Sequence, residues 1–349
     1  MKEYIELLRE MIRIPSFSHE EGQVASLIRD FLRSKGISYK TKNNNTWVLN
    51  NDWTEGNPVI LLNSHIDTVK PVKNWTSDPF GAELDGEKLT GLGSNDAGAS
   101  LVTLLAVFMH LNAEKGLPYN LIFAASAEEE VSGPAGMEDL IAELGPVDLA
   151  IVGEPTKMQM AIAEKGLMVL DCTAQGKAGH AARNEGENAL YKAIDDIRLL
   201  RDFRFAKTSE VLGDVKLSVT QINAGYQHNV VPDQCSFVVD VRTNEYYSNQ
   251  EAFRIIRELI SSDIKARSFK LNSSGIPASH PIVKRGIKLG LTAYGSPTTS
   301  DQAAMPFLSI KIGPGDSARS HTADEYILTS EIEQGFAIYM DLIRDLEIR

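Results

Sequence analysis

The chain has 349 residues, of which 43% are hydrophobic and 23% are charged, as in a folded protein large enough for two domains. Its 35 basic and 47 acidic residues give a net charge of −12, which argues against a nucleic-acid partner because such binding depends on a basic surface. Two cysteines are too few for a disulfide framework or a thiolate zinc site, so any metal must be held by histidine, aspartate and glutamate.

The sequence shows no sign of export or of membrane insertion. Residues 1–14 carry charges throughout and lack the apolar region of a secretory signal. Even the apolar run 101–109 is too short to span a bilayer. We therefore expect a cytoplasmic protein without membrane contact, with Cys172 and Cys235 as core residues in a reducing compartment.

Helices and strands alternate through the first part of the chain. Apolar spacing predicts helices at 1–14, 19–35 and 99–110, and strands at 37–42, 46–50, 58–64, 119–125 and 148–152, with a hairpin at 83–89. The apolar residues of the strand at 58–64 are continuous, which indicates a strand covered on both faces. In an open α/β sheet, ligands bind at the carboxyl ends of such strands.

The strand at 58–64 is followed by His65-Ile66-Asp67. In an extended chain, residues i and i+2 point to the same side, so His65 and Asp67 project together. An imidazole beside a carboxylate binds a metal, serves as base and orienter in nucleophilic catalysis, or forms only a hydrogen-bonded pair. The motif by itself does not decide among these interpretations.

Carboxylates also follow the neighbouring predicted elements. The glycine-rich segment 91–98 has no G-x-G-x-x-G and no P-loop lysine, so its single carboxylate, Asp96, favours a metal loop over a nucleotide-binding turn. Three consecutive glutamates at 128–130 form either a solvated loop or, given the apolar residues before them, part of the same sheet edge. Glu154 follows the next strand. The sequence thus predicts acidic residues gathered at one edge of the sheet.

From about residue 165 the order of elements becomes β-α-β-β-α-β, which is typical of a ferredoxin-like sandwich. The predicted strands are 167–174, 215–223, 234–242 and 264–270, and the predicted helices are 188–200 and 250–260. The chain then returns to the first domain with a helix at 282–291, a strand at 308–313 and a helix at 329–346. We therefore predict an α/β catalytic, metal-binding domain (1–164 and 273–349) with an inserted domain (165–272).

In its order of motifs the chain resembles the metal-dependent aminoacylase/carboxypeptidase family, over nearly its whole length. That family includes acetylornithine deacetylase, succinyl-diaminopimelate desuccinylase and the lysine-biosynthesis deacylases. The motifs are His65-Ile66-Asp67, Asp96, Glu128-Glu129-Glu130, Gly153-Glu154-Pro155 and His321. The resemblance is greatest to acetylornithine deacetylase. It implies a zinc-exopeptidase-like mixed-sheet domain with an inserted α+β domain for dimerisation, or acting as a lid.

The resemblance implies two Zn²⁺ ions, with Co²⁺ as a substitute. The ligands would be His65 and Glu154 at one ion, Glu130 and His321 at the other, and Asp96 between them. Glu129 would be the general base and Asp67 would orient the imidazole of His65. Because Glu128 stands where the family has aspartate, the run of three glutamates leaves the register of base and ligand open by one residue.

Further implied roles concern the substrate and a second subunit. His180, in Gly179-His180-Ala181, would reach the active site of the other subunit of a homodimer formed through the inserted domain. The substrate-binding residues would be Asn229, Arg242, Thr299 and Ser300. Judged from the residues alone, His180 is also typical of a surface histidine and Arg242 of an ion-paired arginine.

The implied activity is hydrolysis of a small N-acyl amino acid, first of all of N2-acetylornithine to ornithine and acetate in arginine biosynthesis. The desuccinylase branch has an arginine after the segment matching Thr299-Ser300-Asp301, and its absence here argues mildly against a second carboxylate on the acyl group. Succinyl-ornithine, succinyl-diaminopimelate, N-acyl-lysine and dipeptides are alternatives. A metal-free binding or assembly homologue is disfavoured by the complete ligand set, and an oxidoreductase by the lack of a dinucleotide fingerprint.

Overall fold

In a computed structural model, described here for residues 1–348, the chain forms two compact units. The first unit comprises Met1–Ile162, Gly275–Tyr294 and the chain from Ser300, and the second comprises Ala163–Ser274 and Gly295–Thr299. The short segment Gly295–Thr299 therefore groups with the second unit, whereas the sequence prediction placed it in the catalytic domain.

The helices follow the apolar periodicity of the sequence. They are α1 Lys2–Ile12, α2 Gly22–Ser34, α3 Ala99–Leu111, α4 Met137–Leu144, α5 Ala189–Asp202, α6 Asn249–Leu259, α7 Pro281–Lys288 and α8 Thr329–Ile343. The sequence prediction did not include α4, which has eight residues and makes little more than two turns. Between residues 1 and 348, none of the helices is long and apolar enough to cross a membrane.

The strands differ widely in length, and the longer ones correspond to predicted strands. They are β1 Lys40–Lys42, β2 Asn45–Leu49, β3 Val59–His65, β4 Glu83–Asp85, β5 Lys88–Thr90, β6 Asn120–Ser126, β7 Leu149–Val152, β8 Met160–Glu164, β9 Met168–Gln175, β10 Gly179–His180, β11 Lys216–Ala224, β12 Val230–Val231, β13 Gln234–Arg242, β14 Asp263–Ala266, β15 Ser274–Gly275, β16 Ala293–Ser296, β17 Ser309–Lys311 and β18 Tyr326–Leu328. The strands absent from the prediction, such as β8, β16 and β18, are short.

Nine strands form one mixed sheet in the order β1-β2-β6-β3-β7-β17-β8-β15, with β16 paired to β8. The central strands β6, β3, β7 and β17 run parallel to one another, whereas β1, β2 and β8 pair antiparallel to their neighbours. The predicted mixed α/β fold is therefore confirmed. Because the central strands are parallel, their carboxyl ends lie at one edge of the sheet.

Burial on both faces fixes the position of β3. Ile60 and Leu62 belong to a core shared with α1, α2, α3 and α8, while Val59 and Leu61 belong to a second core shared with α4. Helix α3 is buried on nearly every side, as expected for a helix without a polar face. The polar residues at the end of β3 therefore start from a rigid support.

In the second unit, a four-stranded antiparallel sheet has the order β11-β13-β9-β14. Apolar residues of α5 and α6 share one core with the inward residues of these strands. The sequence of elements is the predicted β-α-β-β-α-β, with the short pair β10 and β12 added. That this unit is a dimerisation domain or a lid remains a prediction.

We predict that Gly153→Ala destabilises the protein, because a Cβ at this position would lie 2.7 Å from Leu104 Cδ1 and 2.9 Å from Ser100 Cβ, both in α3. Overpacking of this kind costs about 1–3 kcal/mol. Urea denaturation measures the loss. Gly22→Ala is the matched control, since its Cβ would be 3.7 Å from the nearest atom and it starts α2, where alanine is tolerated. Equal stability of Gly153→Ala and wild type would contradict the prediction.

Candidate metal centre

The imidazole of His65 lies buried at the carboxyl end of β3. Its Nδ1 is 2.9 Å from the carbonyl oxygen of Asp67 and 3.4 Å from the Asp67 carboxylate. Its Nε2 is 3.3 Å from Asp96 and 3.7 Å from Glu154. Because Nδ1–H can donate to Asp67, the lone pair of Nε2 is free to face the other two carboxylates, which is the orientation of a metal-ligating histidine.

Strand register explains why these residues meet. In the parallel pairs of β3, Asn63 is opposite Val152 and His65 is opposite Ser126. Glu154, two residues beyond Val152, is therefore level with His65 at the sheet edge. The three glutamates begin two residues beyond Ser126, so they reach the same place from the other side of β3.

The carboxylate of Asp67 accepts hydrogen bonds from the glutamate segment and from Ser18. Its Oδ1 accepts a hydrogen bond from the backbone N–H of Glu129 at 3.0 Å, and its Oδ2 accepts from the N–H of Glu130 at 3.1 Å and from Ser18 Oγ at 2.7 Å. The sequence indicated contact of Asp67 with His65 but not with these residues. Their separations of 49 to 63 positions leave no local pattern that reveals the contacts.

The three adjacent glutamates point to different places. Glu128 is 3.0 Å from His19 Nδ1 and accepts a hydrogen bond from the backbone N–H of Ala135 at 3.1 Å. It is absent from both groups of donor atoms that could hold a metal, which contain Glu129 and Glu130 instead. These contacts favour the register in which Glu128 replaces the family's aspartate.

His321, on the loop before β18, completes the cluster from the distant end of the chain. Its Nε2 is 3.0 Å from one oxygen of Glu130 and 3.2 Å from the other, and it is 3.7 Å from Asp96 Oδ2. Asp96 thus turns Oδ1 toward His65 and Oδ2 toward His321. This is the arrangement expected of a carboxylate that bridges two ions.

Two overlapping groups of donors have the composition and spacing of metal sites. They are His65, Asp96 and Glu130, and His65, Glu129 and Glu154, and within each group the donor atoms lie within 4.8 Å of one another. Imidazole and carboxylate donors without thiolate suit zinc and similar divalent ions. The second group includes Glu129, to which the resemblance gives the role of base.

The electrostatics of the cluster also fit a cation. Burial raises the pKa of Glu154 to about 8, and the neighbouring charges of Asp96 and Glu130 add to the rise. Burial likewise raises the pKa of Glu129 well above its usual value; His65 opposes that rise, and Glu154 adds to it. Because buried like charges repel, the deprotonated cluster requires positive charge, and divalent cations supply it.

A further buried carboxylate, Asp301, lies at the end of β6, the strand beside β3. It accepts a hydrogen bond of 2.6 Å from Ser126 Oγ, at the end of β6, and burial raises its pKa to about 6. The sequence prediction included Asp301 in the segment Thr299-Ser300-Asp301 and gave it no role. Its neighbour Ser300 is also buried, and its Oγ accepts a hydrogen bond from the N–H of Gln302 at 3.4 Å.

The remaining predicted substrate residues lie in the second unit. Arg242 donates to both oxygens of Asp240, at 2.8 and 3.1 Å, and its Nη1 is 3.4 Å from Thr299 Oγ1. His180 is exposed on β10, and the adjacent Ala181 N–H donates to the carbonyl of Asn229 at 3.0 Å. The structure thus groups these residues into two pairs, and their binding roles remain predictions.

A histidine and carboxylate cluster at the carboxyl edge of a mixed sheet is typical of metal-dependent hydrolases. Residues 61–345 match Peptidase family M20/M25/M40, and the chain belongs to that family. Membership makes the protein a metal-dependent enzyme that acts on amide bonds. It confirms this coarser part of the function predicted from the sequence.

Named relatives and a solved structure agree with this assignment. A peptidase M20 domain-containing protein of Schizosaccharomyces pombe is 26% identical over 97% of this chain and 84% of its own length. A succinyl-diaminopimelate desuccinylase of Dinoroseobacter shibae is 25% identical over 99% of both chains. The aminopeptidase PepT of Bacillus cereus has a similar fold, with a TM-score of 0.80 at 15% identity over 99% of this chain and 98% of that one.

Metal affinity is expected to increase with pH between about pH 6 and pH 9. Burial raises the pKa of Glu154 to about 8, and the hydrogen bond that His321 Nε2–H donates to Glu130 raises the pKa of His321 to about 9, so both groups hold protons that a metal ion must displace. At a pH below the pKa of such a group, raising the pH by one unit increases the metal affinity about tenfold for each proton that the ion displaces.

Titration of the metal-free protein with Zn²⁺ against a chromophoric chelator measures this affinity at each pH. Calorimetry in buffers of different ionisation enthalpy counts the released protons. An affinity that is constant over this range, with no proton release, would show that these two groups do not bind the ion.

Proposed function

We propose that the protein is a dinuclear zinc deacylase that removes the acyl group from an N-acyl amino acid, with N2-acetylornithine as its substrate. The observation that carries this proposal is the placement of His65 and His321 on the two oxygens of one carboxylate, Asp96. Two ions on a shared carboxylate are suited to hydrolysis of an amide.

In this proposal, His65 and Glu154 would hold one ion, Glu130 and His321 would hold the other, and Asp96 would contribute to both. The bound ions would act as Lewis acids, favouring ionisation of a water molecule and polarising the carbonyl group of the substrate. Co²⁺ would serve as a substitute, because the donors are imidazole and carboxylate groups.

Glu129 is the proposed general base. Its side chain is close to His65 and Glu154, and its backbone is fixed by the hydrogen bond to Asp67. Burial raises its pKa, which makes the Glu129 carboxylate a stronger base than a carboxylate in water. Glu129 accepts the proton of the attacking water and returns it to the amine as the carbon–nitrogen bond breaks. The products are an amino acid and a small carboxylic acid.

A homodimer formed through the second unit is part of the proposal. His180 of the partner subunit would donate a hydrogen bond to the carbonyl oxygen of the substrate as negative charge develops there. A donor of this kind contributes about 3 kcal/mol to transition-state stabilisation. The exposure of His180 in the single chain is compatible with such a role.

Arg242 would bind the α-carboxylate of the substrate, since a guanidinium group pairs with carboxylates through two hydrogen bonds. Its present partner is Asp240, so the substrate would compete with an existing ion pair or share the arginine with it. Thr299, which contacts Arg242, along with Asn229 and Ser300, would complete the substrate contacts.

A second candidate is removal of a succinyl group, favoured by the succinyl-diaminopimelate desuccinylase among the relatives. Against it stands the sequence Gln302-Ala303-Ala304 after Asp301, which provides no arginine for a second carboxylate. The two candidates differ only in the acyl group and the amino acid, and they use the same metal centre.

A substrate panel distinguishes the candidates. We expect the zinc- or cobalt-loaded protein to hydrolyse N2-acetylornithine with a kcat/KM at least about tenfold above that for succinyl-ornithine, succinyl-diaminopimelate, N-acetyl-lysine or dipeptides, because Gln302-Ala303-Ala304 lacks the arginine that would pair with a succinyl carboxylate. Ninhydrin detection of the released amine measures each rate. A preference for a succinylated substrate would favour removal of a succinyl group over removal of an acetyl group. A preference for dipeptides would exclude both of these activities.

We predict that Glu129→Gln lowers kcat by about 100- to 10,000-fold while two ions remain bound, because the base is lost but no ligand is. Glu128→Gln is the matched control: it is the adjacent glutamate, and its side chain contacts His19 and Ala135 instead of the cluster. Activity assays and elemental analysis provide the readouts. Loss of an ion from Glu129→Gln would identify Glu129 as a ligand rather than the base.

A further inference from the structure

Two of the proposed ligands lie on loops that are far apart in the sequence but are joined directly by Asn95. The amide of this buried residue bonds to the segment before His321: Oδ1 accepts from the N–H of Asp316 at 2.9 Å, and Nδ2 donates to the carbonyl of Asp316 at 3.1 Å and to Ser320 Oγ at 3.2 Å. Asn95 immediately precedes Asp96, and Ser320 immediately precedes His321. One amide therefore connects the residues next to both ligands.

Glu325 makes a second connection between the same two loops. Its side chain extends from the loop of His321 to the loop of Asp96, whereas that of Asn95 extends from the loop of Asp96 to the loop of His321. It is buried, and its Oε1 accepts the backbone N–H groups of Asn95 and Asp96, both at 2.9 Å. Glu325 lies four residues after His321. Because the N–H of Asp96 is held by this carboxylate, the orientation of the Asp96 backbone is set by the loop that carries His321.

The side-chain amide of Asn95 packs against Gly315, where the absence of a side chain leaves room for it. A Cβ at Gly315 would lie 2.3 Å from Asn95 Oδ1, and the φ of +91° at Gly315 is one that other residues rarely adopt. Asn95 can therefore approach Asp316 only because the preceding residue has no side chain.

The connection also reaches the residue next to His321. The hydroxyl of Ser320 accepts a hydrogen bond from Asn95 Nδ2 at 3.2 Å. A displacement of Asn95 would therefore disturb the backbone next to both Asp96 and His321. Metal ligands need positions accurate to about 0.5 Å, which neighbouring hydrogen bonds provide.

We propose that Asn95 and Glu325 are positioning residues that fix the distance between Asp96 and His321, and that binding of the ion between Glu130 and His321 depends on them. The proposal rests on the metal centre of the proposed function. It does not depend on which substrate is hydrolysed. We refer to Asn95 and Glu325 together as the ligand clasp.

The test is titration of the metal-free protein with Zn²⁺ by calorimetry, together with the visible absorption spectrum of the Co²⁺-loaded protein. For Asn95→Ala we expect one of two ions to bind about 10- to 100-fold more weakly, the usual effect of removing a residue that orients a ligand. The Co²⁺ spectrum should change, because the coordination geometry changes at the weakened position. Glu325→Ala should give the same result.

The conservative variant Glu325→Gln separates hydrogen bonding from charge. A glutamine oxygen can still accept both N–H groups of Asn95 and Asp96, so we expect metal affinity within about threefold of wild type. If Glu325→Gln lost as much affinity as Glu325→Ala, hydrogen bonding by Glu325 would not be what positions Asp96, and the proposal would be overturned.

Asn120→Ala is the matched control for Asn95→Ala. Asn120 is also buried, and its amide also makes three bonds to backbone or side-chain groups: it accepts from Thr54 N–H at 2.8 Å and donates to the carbonyls of Thr54 and Asn57 at 2.8 and 3.5 Å. It begins β6, at the end of the strand opposite the cluster. We expect a similar loss of thermal stability but unchanged affinity and an unchanged Co²⁺ spectrum.

Equal metal affinity of Asn95→Ala and Asn120→Ala would overturn the proposal. If Asn95→Ala does not fold, Ser320→Ala replaces it in the test, because it removes a single partner of Asn95. We expect Ser320→Ala to bind one of the two ions severalfold more weakly, and wild-type affinity would contradict the proposal.

Two further outcomes separate the ligand clasp from the proposed function. If wild type binds two ions and Asn95→Ala binds one of them weakly, but no acylated substrate is hydrolysed, the proposed function fails and the ligand clasp stands. If Asn95→Ala has normal metal affinity and normal hydrolysis, the ligand clasp fails and the proposed function stands.

Discussion

Repulsion among buried carboxylates is the constraint on which the site depends. Donor atoms of Glu129 and Glu154 lie within 4.8 Å of a nitrogen of the buried His65 imidazole, and so do donor atoms of Asp96 and Glu130. Such a group is costly to bury with its charges uncompensated, and the raised pKa values of Glu129 and Glu154 express that cost. Protons or metal ions can reduce the repulsion. Because the family is metal-dependent, metal ions are the relevant cations. The crowding of carboxylates that destabilises the metal-free protein therefore favours the binding of cations.

The parallel strands at the centre of the sheet make this crowding possible. Since β3, β6 and β7 run in the same direction, the residues that follow them arrive at one edge. Packing on both faces holds β3 in place, and the close approach of Gly153 to α3 fixes the start of the Glu154 segment. The proposed ligands His65, Glu130 and Glu154 therefore lie within a few residues of the ends of well-packed strands. A catalyst that must keep ions at fixed positions benefits from such short connections.

The loops themselves are held by buried acceptors instead of regular secondary structure. Asp67 accepts the N–H groups of Glu129 and Glu130, and Glu325 accepts those of Asn95 and Asp96. In each case a carboxylate satisfies the backbone of a segment that carries a proposed ligand or base. Charged hydrogen bonds of this kind are stronger than neutral ones, and they are stronger still away from water. The precision of the centre thus comes from carboxylates that do not themselves need to bind metal.

The sequence by itself determined the features that depend on neighbouring residues. The continuous apolar run of β3, the periodicity of α3 and the order of elements in the second unit all follow from local patterns, and the shortage of cysteine restricts the donors to imidazole and carboxylate. The strands β8, β16 and β18 and the helix α4 were not predicted; short elements give a weak pattern, although others of similar length, such as β7 and α7, were predicted. Only the tertiary structure decided that Glu128 turns toward His19, that Asp67 holds the two following glutamates, and that Asn95 reaches Asp316. The physical reason is that these contacts join residues from about 60 to more than 200 positions apart. Their partners are set by the topology of the chain and not by the residues beside them.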